Sequence, residues 1–180
     1  LFAVVNRGRS FSIQINRIDL GVFCRREVVQ LISVLDPRVT EPLLTGRIVK
    51  GDKCSFGILK RMLLQTKPST KAIKHLTRYA IEYSFHARKW YEAFLSKAVD
   101  NSMRETLMAL SYSHTFMTLA RHYSKERKRV LSFSDCLKLD SQVRLVRSVL
   151  GEVIDGHPVK AKSIVGLIED HELTLVNAIS

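Results

Sequence analysis

The chain lacks the features that mark several common classes of protein. It has three cysteines, Cys24, Cys54 and Cys136, which lie far apart and form no C-x-x-C pair, so neither a disulfide framework nor a zinc cluster is indicated. We therefore expect a soluble protein of a reducing, intracellular compartment: the cytoplasm, the nucleus or an organelle. No run approaches the ~18 apolar residues that a membrane-spanning helix requires, and we expect no stable membrane insertion.

Sequence motifs of catalysis are also scarce. The six histidines form neither H-x-x-x-H nor H-E-x-x-H, which are the spacings that place two metal ligands on one face of a helix. Residues 46–53, GRIVKGDK, depart from a phosphate-binding loop because no lysine directly follows the second glycine. We expect a protein that is not an enzyme and needs no metal or cofactor. A small nuclease whose site is assembled only in three dimensions is the alternative.

Positive charge is what the sequence has in excess. It holds 29 Lys and Arg against 17 Asp and Glu, a formal charge of +12, which raises the local concentration of anionic partners. Residues 1–66 hold 11 basic and 5 acidic residues, residues 67–131 hold 13 and 5, and residues 132–180 hold 5 and 7. We expect the polyanion contact in the first two thirds of the chain, and we expect the acidic last third to pack or to contact protein.

Hydrophobic periodicity predicts a mainly α fold: a helical bundle of about six helices with an N-terminal β-hairpin arm. Two strand-like runs surround residues 6–10, NRGRS, so we predict residues 1–26 as the arm and residues 27–180 as a single helical domain. Because residues 37–54 contain two prolines and two glycines, we interpret them as an irregular connection.

Two long helices are the clearest elements of the predicted bundle. Ser69 is the predicted cap of the third helix. The fourth starts with the pair Ser102 and Glu105 and is apolar nearly all round, so it should be central. The other helices are predicted to start near residues 27, 55, 141 and 164. The apolar seam of the third helix comprises Ile73, Leu76, Ala80, Tyr83, Ala87, Trp90 and Phe94.

Cations at helical spacing are the candidate nucleic-acid contacts. A row of them follows the third helix away from its seam, and five more fall within residues 121–129. Such a row can neutralise neighbouring phosphates, whereas the dipole at a helix C-terminus accounts for only two or three cations of the second group. The candidates are Lys67, Lys71, Lys74, Arg78, Lys89, Arg121, Lys125, Arg127, Lys128 and Arg129, with Arg7 and Arg9 in the hairpin loop and with Tyr79 and Tyr123 as base-stacking side chains.

Charge and fold together predict a non-enzymatic nucleic-acid-binding protein, with RNA favoured. Because no base-reading module is recognisable, we expect contacts with the phosphate backbone and little sequence specificity. Packaging, protection or sequestration of RNA by a homo-oligomer suits that chemistry. Two interpretations stay open beside it: a helical scaffold that binds an acidic protein partner, and a matrix-type protein at an anionic membrane surface.

Overall fold

The computed structural model describes residues 2–6, 11–15, 18–48, 51–97, 101–126 and 129–179, and it describes only the backbone of 11–15, 18–20, 161, 178 and 179. The fold is mainly helical with a small N-terminal sheet. None of the helices in these ranges combines the length and the apolar character that crossing a bilayer requires. The strands are β1 (Phe2–Val5), β2 (Phe11–Ile15) and β3 (Ile18–Cys24), and the helices are α1 (Arg25–Ser33), α2 (Pro37–Thr45), α3 (Lys53–Gln65), α4 (Thr70–Leu95), α5 (Ser102–Lys125), α6 (Phe133–Leu139), α7 (Ser141–Ile154) and α8 (Ala161–Ile179).

The sheet differs from the predicted hairpin in its pairing. β3 is the central strand, and it pairs parallel with β1, with Phe2 opposite Gly21, and antiparallel with β2, with Phe11 opposite Val22. The hairpin is therefore formed by β2 and β3, whereas the two runs around residues 6–10 had suggested β1 and β2. A third strand has a physical reason, since an isolated two-stranded hairpin is marginal in water.

Helix α2 falls where we expected an irregular connection. The Asp36 carboxylate accepts a hydrogen bond from the backbone N–H two residues later, at 2.9 Å, and Pro37 occupies the first turn, where a missing N–H breaks no helical hydrogen bond. Pro42 lies inside the helix. Gly46 ends it at a point where a Cβ atom would collide with the Pro42 carbonyl oxygen. The interpretation was thus wrong for residues 37–45, and α2 and α6 raise the helix count in the described ranges from six to eight.

The two long helices confirm the clearest predictions. Ser69 Oγ accepts a hydrogen bond from the N–H of Ala72 at 3.2 Å, and α4 then continues for 26 residues. α5 begins at Ser102 and is buried nearly all round between residues 106 and 120, as its apolar pattern predicted. The buried stripe of α4 is rotated slightly from the predicted seam and comprises Ala72, Leu76, Ala80, Ser84, Ala87 and Tyr91.

The chain divides into two compact units. The first, which we call the basic unit, is Leu1–His75 with Tyr123–Ser132, and the second, the neutral unit, is Leu76–His122 with Phe133–Ser180. In the basic unit, α1 packs against α2, α3 and the sheet. The predicted division into an arm and one bundle stays a prediction. The core of the neutral unit is built by α4, α5, α7 and α8 from Ala87, Tyr91, Leu107, Ala109, Leu110, Val146, Leu150, Ile164 and Ile168.

Candidate nucleic-acid interface

The net charge of the chain belongs entirely to the basic unit. Its residues 1–75 and 123–132 include 18 Lys and Arg against 6 Asp and Glu, a difference of +12. Residues 76–122 and 133–180 include 11 basic and 11 acidic residues, a difference of zero. An anionic partner is therefore attracted to the basic unit.

Cations also occupy the first turns of helices in the basic unit. α1 begins with Arg25 and Arg26, α3 begins with Lys53, and Lys71 is the second residue of α4. A helix N-terminus favours an anion by about 0.3–1 kcal/mol and disfavours a cation. α1 has Glu27 in its first turn, but α3 and α4 have no acidic residue there. At the start of α4 the helix dipole and the Lys71 side chain are therefore both positive, whereas the Asp52 cap offsets Lys53 at α3.

The neutral unit has the opposite arrangement at two of its helices. Glu105 lies in the first turn of α5 and Asp135 in that of α6, where each carboxylate is favoured by the helix dipole. Asp140 caps α7 by accepting a hydrogen bond from the N–H of Gln142 at 2.8 Å. Acids stabilise these helix starts in the neutral unit, as Asp36 and Asp52 do at α2 and α3 in the basic unit, but only the basic unit adds exposed cations in the first turns of α1, α3 and α4.

The predicted cations near the start of α4 are exposed and are not neutralised. Lys67, Lys71 and Lys74 are all exposed, and within the described ranges none of them forms an ion pair. Sequence reasoning gave too little weight to four further exposed cations of the basic unit: three lie at helix starts, which show only once the helix bounds are known, and Arg61 lies inside α3. With no ion pair to a described residue, these are Arg25, Arg26, Lys53 and Arg61.

The structure separates the predicted cations into two groups. Arg78, Lys89 and Arg121 belong to the neutral unit. The Arg78 guanidinium lies 5.1 Å from the ring centre of Tyr79, and Lys89 Nζ lies 4.7 Å from that of Phe85. Arg121 donates a hydrogen bond to the Thr174 carbonyl at 3.2 Å. Lys125 and Arg129 are exposed in the basic unit, and Arg7, Arg9, Arg127 and Lys128 lie outside the described residues.

The prediction that Tyr123 stacks on bases is wrong for this structure. Its side chain is 1% exposed, and its hydroxyl accepts a hydrogen bond from the N–H of Leu131 at 2.9 Å, so the ring is part of the core. Tyr79 is half-buried, and its ring stacks on that of Phe116 with 5.5 Å between the ring centres. That packing occupies one face of the Tyr79 ring and makes it a poor platform for a base.

The basic unit contains a buried ionic cluster of Asp36, Arg38 and His75. Asp36 is fully buried, and its carboxylate accepts hydrogen bonds from Arg38 at 2.9 and 2.7 Å and lies 2.8 Å from Nε2 of His75. Burial raises the pKa of Asp36, but the hydrogen bonds from His75 and Arg38 outweigh burial, and the pKa lies below its ordinary value. Asp36 therefore stays ionised, and one of the cations in this unit is neutralised inside it.

Two histidines face each other in the core of the neutral unit. The ring centres of His114 and His171 are 3.8 Å apart, and the residues are 5% and 1% exposed. Burial lowers the pKa of His114 to about 4, with Asp140 raising it and Arg121 lowering it. Burial, then His114, then Arg121 lower the pKa of His171 to about 3. Both imidazoles are neutral at pH 7.

Ser113 lies beside this histidine pair, and a serine hydroxyl next to an imidazole resembles a catalytic nucleophile with its general base. The hydroxyl has one proton and donates it to the carbonyl of Ala80. Nε2 of His171, 2.5 Å away, must therefore be the donor to Ser113 Oγ. Nδ1 of His171 has no partner among the described residues. An imidazole in this tautomer cannot take the serine proton, so the arrangement is a buried hydrogen-bond network and not an activated serine.

The described residues offer no metal centre, since no three His, Cys, Asp or Glu side chains among them come together to hold an ion. Among the candidate contacts, Lys67, Lys71 and Lys74 are exposed and form no ion pair with a described residue. No protein-family model, no curated protein and no solved structure matches this chain.

Proposed function

We propose that this protein is a non-enzymatic nucleic-acid-binding protein whose basic unit contacts the phosphate backbone, with RNA as the favoured ligand. Packaging, protection or sequestration of RNA suits such contacts, because they neutralise phosphates without reading bases. The contacts that we assign to it first are Lys67, Lys71 and Lys74, near the start of α4.

One observation carries the proposal: the whole net charge of +12 lies in one unit, where Lys67, Lys71 and Lys74 are exposed and form no ion pair with a described residue. Crowded like charges repel one another, and cations at helix starts add to that repulsion. A polyanion relieves both effects by replacing the counterions that would otherwise gather there.

We expect low sequence specificity for two reasons: the candidate contacts are Lys and Arg, and the two candidate stacking tyrosines are packed against the protein. Lys and Arg bind phosphate oxygens, which every nucleotide offers. Of the two predicted stacking residues, Tyr123 is buried and Tyr79 has one ring face packed on Phe116.

The test compares two variants of equal charge. Lys67→Gln/Lys71→Gln/Lys74→Gln removes three cations from the basic unit, and Arg144→Gln/Lys160→Gln/Lys162→Gln removes three exposed cations from the neutral unit. Fluorescence anisotropy of a labelled single-stranded RNA, measured across salt concentrations, gives log K against log [salt]. Because each contact contributes about 0.7 to the slope for a single strand, the first variant should lower its magnitude by about 2 for all sequences, while the second should bind like the wild type.

Three outcomes would contradict the proposal. Equal loss in both variants would mean that overall charge, and not the basic unit, governs binding. Binding to polyglutamate as tight as to RNA of equal length would favour the scaffold interpretation. Shortening of the RNA with time would identify a nuclease, and duplex DNA measured in the same way determines whether RNA is preferred.

A further inference from the structure

The most exposed large apolar side chains of the described residues lie on two helices. Leu64 of α3 is 62% exposed, and Leu173 and Val176 of α8 are 62% and 61% exposed. Scattered single apolar residues on a surface are ordinary, but Leu173 and Val176 lie one turn apart on α8, and neighbouring apolar residues on a helix face mark a contact surface.

The two helices present seams with the same spacing of three, four and three residues. Each seam follows one face of its helix over about 15 Å, given a rise of 1.5 Å per residue, and this is the spacing by which two helices pack along their length. The seam of α3 comprises Cys54, Gly57, Arg61 and Leu64, and that of α8 comprises Gly166, Glu169, Leu173 and Val176.

Each seam contains a glycine with open space beside it. No described atom outside the local helix backbone lies within 4 Å of the place where a Cβ would stand at Gly57 or at Gly166. A glycine inside a helix is less favourable than alanine by about 1 kcal/mol. The space beside each glycine is therefore open to a side chain from elsewhere.

We propose that α3 of one copy of this chain packs antiparallel against α8 of a second copy. The antiparallel alignment puts the leucine of each seam opposite the glycine of the other and brings the two charges of opposite sign together. The facing pairs are Leu64 with Gly166, Arg61 with Glu169, Gly57 with Leu173, and Cys54 with Val176.

The parallel alignment of the same seams is much poorer. It would put Arg61 opposite Leu173 and Glu169 opposite Gly57, so that neither charge meets its opposite and neither leucine meets a glycine. Size and charge therefore select one direction, and this complementarity identifies a second copy of the chain as the occupant.

In this assembly each contact is heterologous, because one copy contributes α3 and the other contributes α8. Every copy carries both an α3 seam and an α8 seam, so each contact leaves one free seam at either end, and the series closes into a ring or continues as an open chain. This inference does not depend on nucleic-acid binding, and its tests use nuclease-treated protein at about 0.15 M salt, where exposed charges in contact still interact.

The glycines allow a test that leaves each monomer intact. Gly57→Leu and Gly166→Leu each place a good helix former into open space, but each fills the gap that the opposing leucine requires. Sedimentation velocity over a concentration series should show the wild type gaining mass with concentration and both variants remaining monomeric. Gly151→Leu, at a glycine of α7 that is equally open, is the matched control and should assemble like the wild type.

A charge exchange tests the direction of packing. Arg61→Glu and Glu169→Arg should each weaken assembly, because each brings like charges together, and the double variant should restore it by reversing the pair. A wild type that stays monomeric at every concentration, or a double variant that assembles no better than the single ones, would overturn the inference. The RNA measurements on the lysine variants would stand in either case.

Discussion

The two units manage charge in opposite ways. In the basic unit, the fully buried Asp36 is ionised and paired with Arg38 and His75, while the exposed Lys67, Lys71 and Lys74 form no ion pair with a described residue. In the neutral unit, the buried His114 and His171 are uncharged, and basic and acidic residues are equal in number. The buried carboxylate of the basic unit is thus compensated, and these three lysines on its surface are not paired with any described acid. The surface excess is therefore better explained by a partner than by the stability of the fold.

Among the substitutions, removal of the buried carboxylate should have the largest effect on stability. Asp36→Ala removes the cap of α2 and the acceptor for both Arg38 and His75. Breaking a buried ion pair by removing one partner costs about 3–5 kcal/mol, so urea unfolding should show a loss of that order.

Asp52→Ala is the control for the cap alone. Asp52 caps α3 by accepting hydrogen bonds from Cys54 and Ser55, at 2.8 and 3.0 Å, but it is exposed. If the two substitutions destabilise the protein equally, the loss at Asp36 comes from capping and not from the buried cluster.

The two units should begin to lose stability at different pH values as the pH is lowered. The folded-state pKa values of His114 and His171 lie below the ordinary value of 6.5, so the unfolded chain takes up protons first as the pH falls. Stability of the neutral unit is full above about pH 6.5 and declines by about 1.4 kcal/mol per pH unit for each histidine. By pH 4 this amounts to about 3 kcal/mol from each. The Asp36 contribution is instead present above the ordinary carboxyl value and is lost only as the pH falls through the lowered pKa.

Hydrogen exchange between pH 7 and pH 4 measures this difference. Amides of α8 should lose protection before those of α2. His114→Asn should about halve the pH dependence of stability between pH 6.5 and 4, because one of the two titrating groups is gone. An unchanged slope in that variant would show that the histidine pair does not govern the acid response.

Tyr123→Phe should have the smallest of these effects. It removes the hydroxyl that accepts from the buried N–H of Leu131 and leaves that donor without a partner, which costs about 1–3 kcal/mol. RNA affinity, measured by anisotropy below the unfolding transition, should not change. A loss of affinity without a loss of stability would restore Tyr123 as a stacking residue.

The sequence was a good guide wherever the signal was local and periodic. Ser69 and the apolar pattern of α5 were sufficient to place the two long helices, because a cap and a repeat act within one helix. Strand pairing depends on contacts between residues distant in the chain, so the pairing of β1 with β3 could not be predicted from local sequence patterns. The two prolines in 37–45 suggested a break, although the first suits a helix start.

The charged surface could be predicted only in part for a related reason. Counting along the chain gave residues 67–131 the largest excess of cations, but the fold assigns Arg78, Lys89 and Arg121 to the neutral unit. Tyr123 looked like a surface residue because cations surround it in the sequence. Burial depends on residues that lie far away along the chain, and no local pattern reports it.

The order of segments along the chain has a consequence for synthesis. The basic unit consists of residues 1–75 and 123–132, and residues 76–122 of the other unit lie between them. Domains generally fold as units while the chain emerges from the ribosome, so this unit cannot be completed until residue 132 is available. A fragment cut after residue 75 would lack the segment that contains the buried ring of Tyr123.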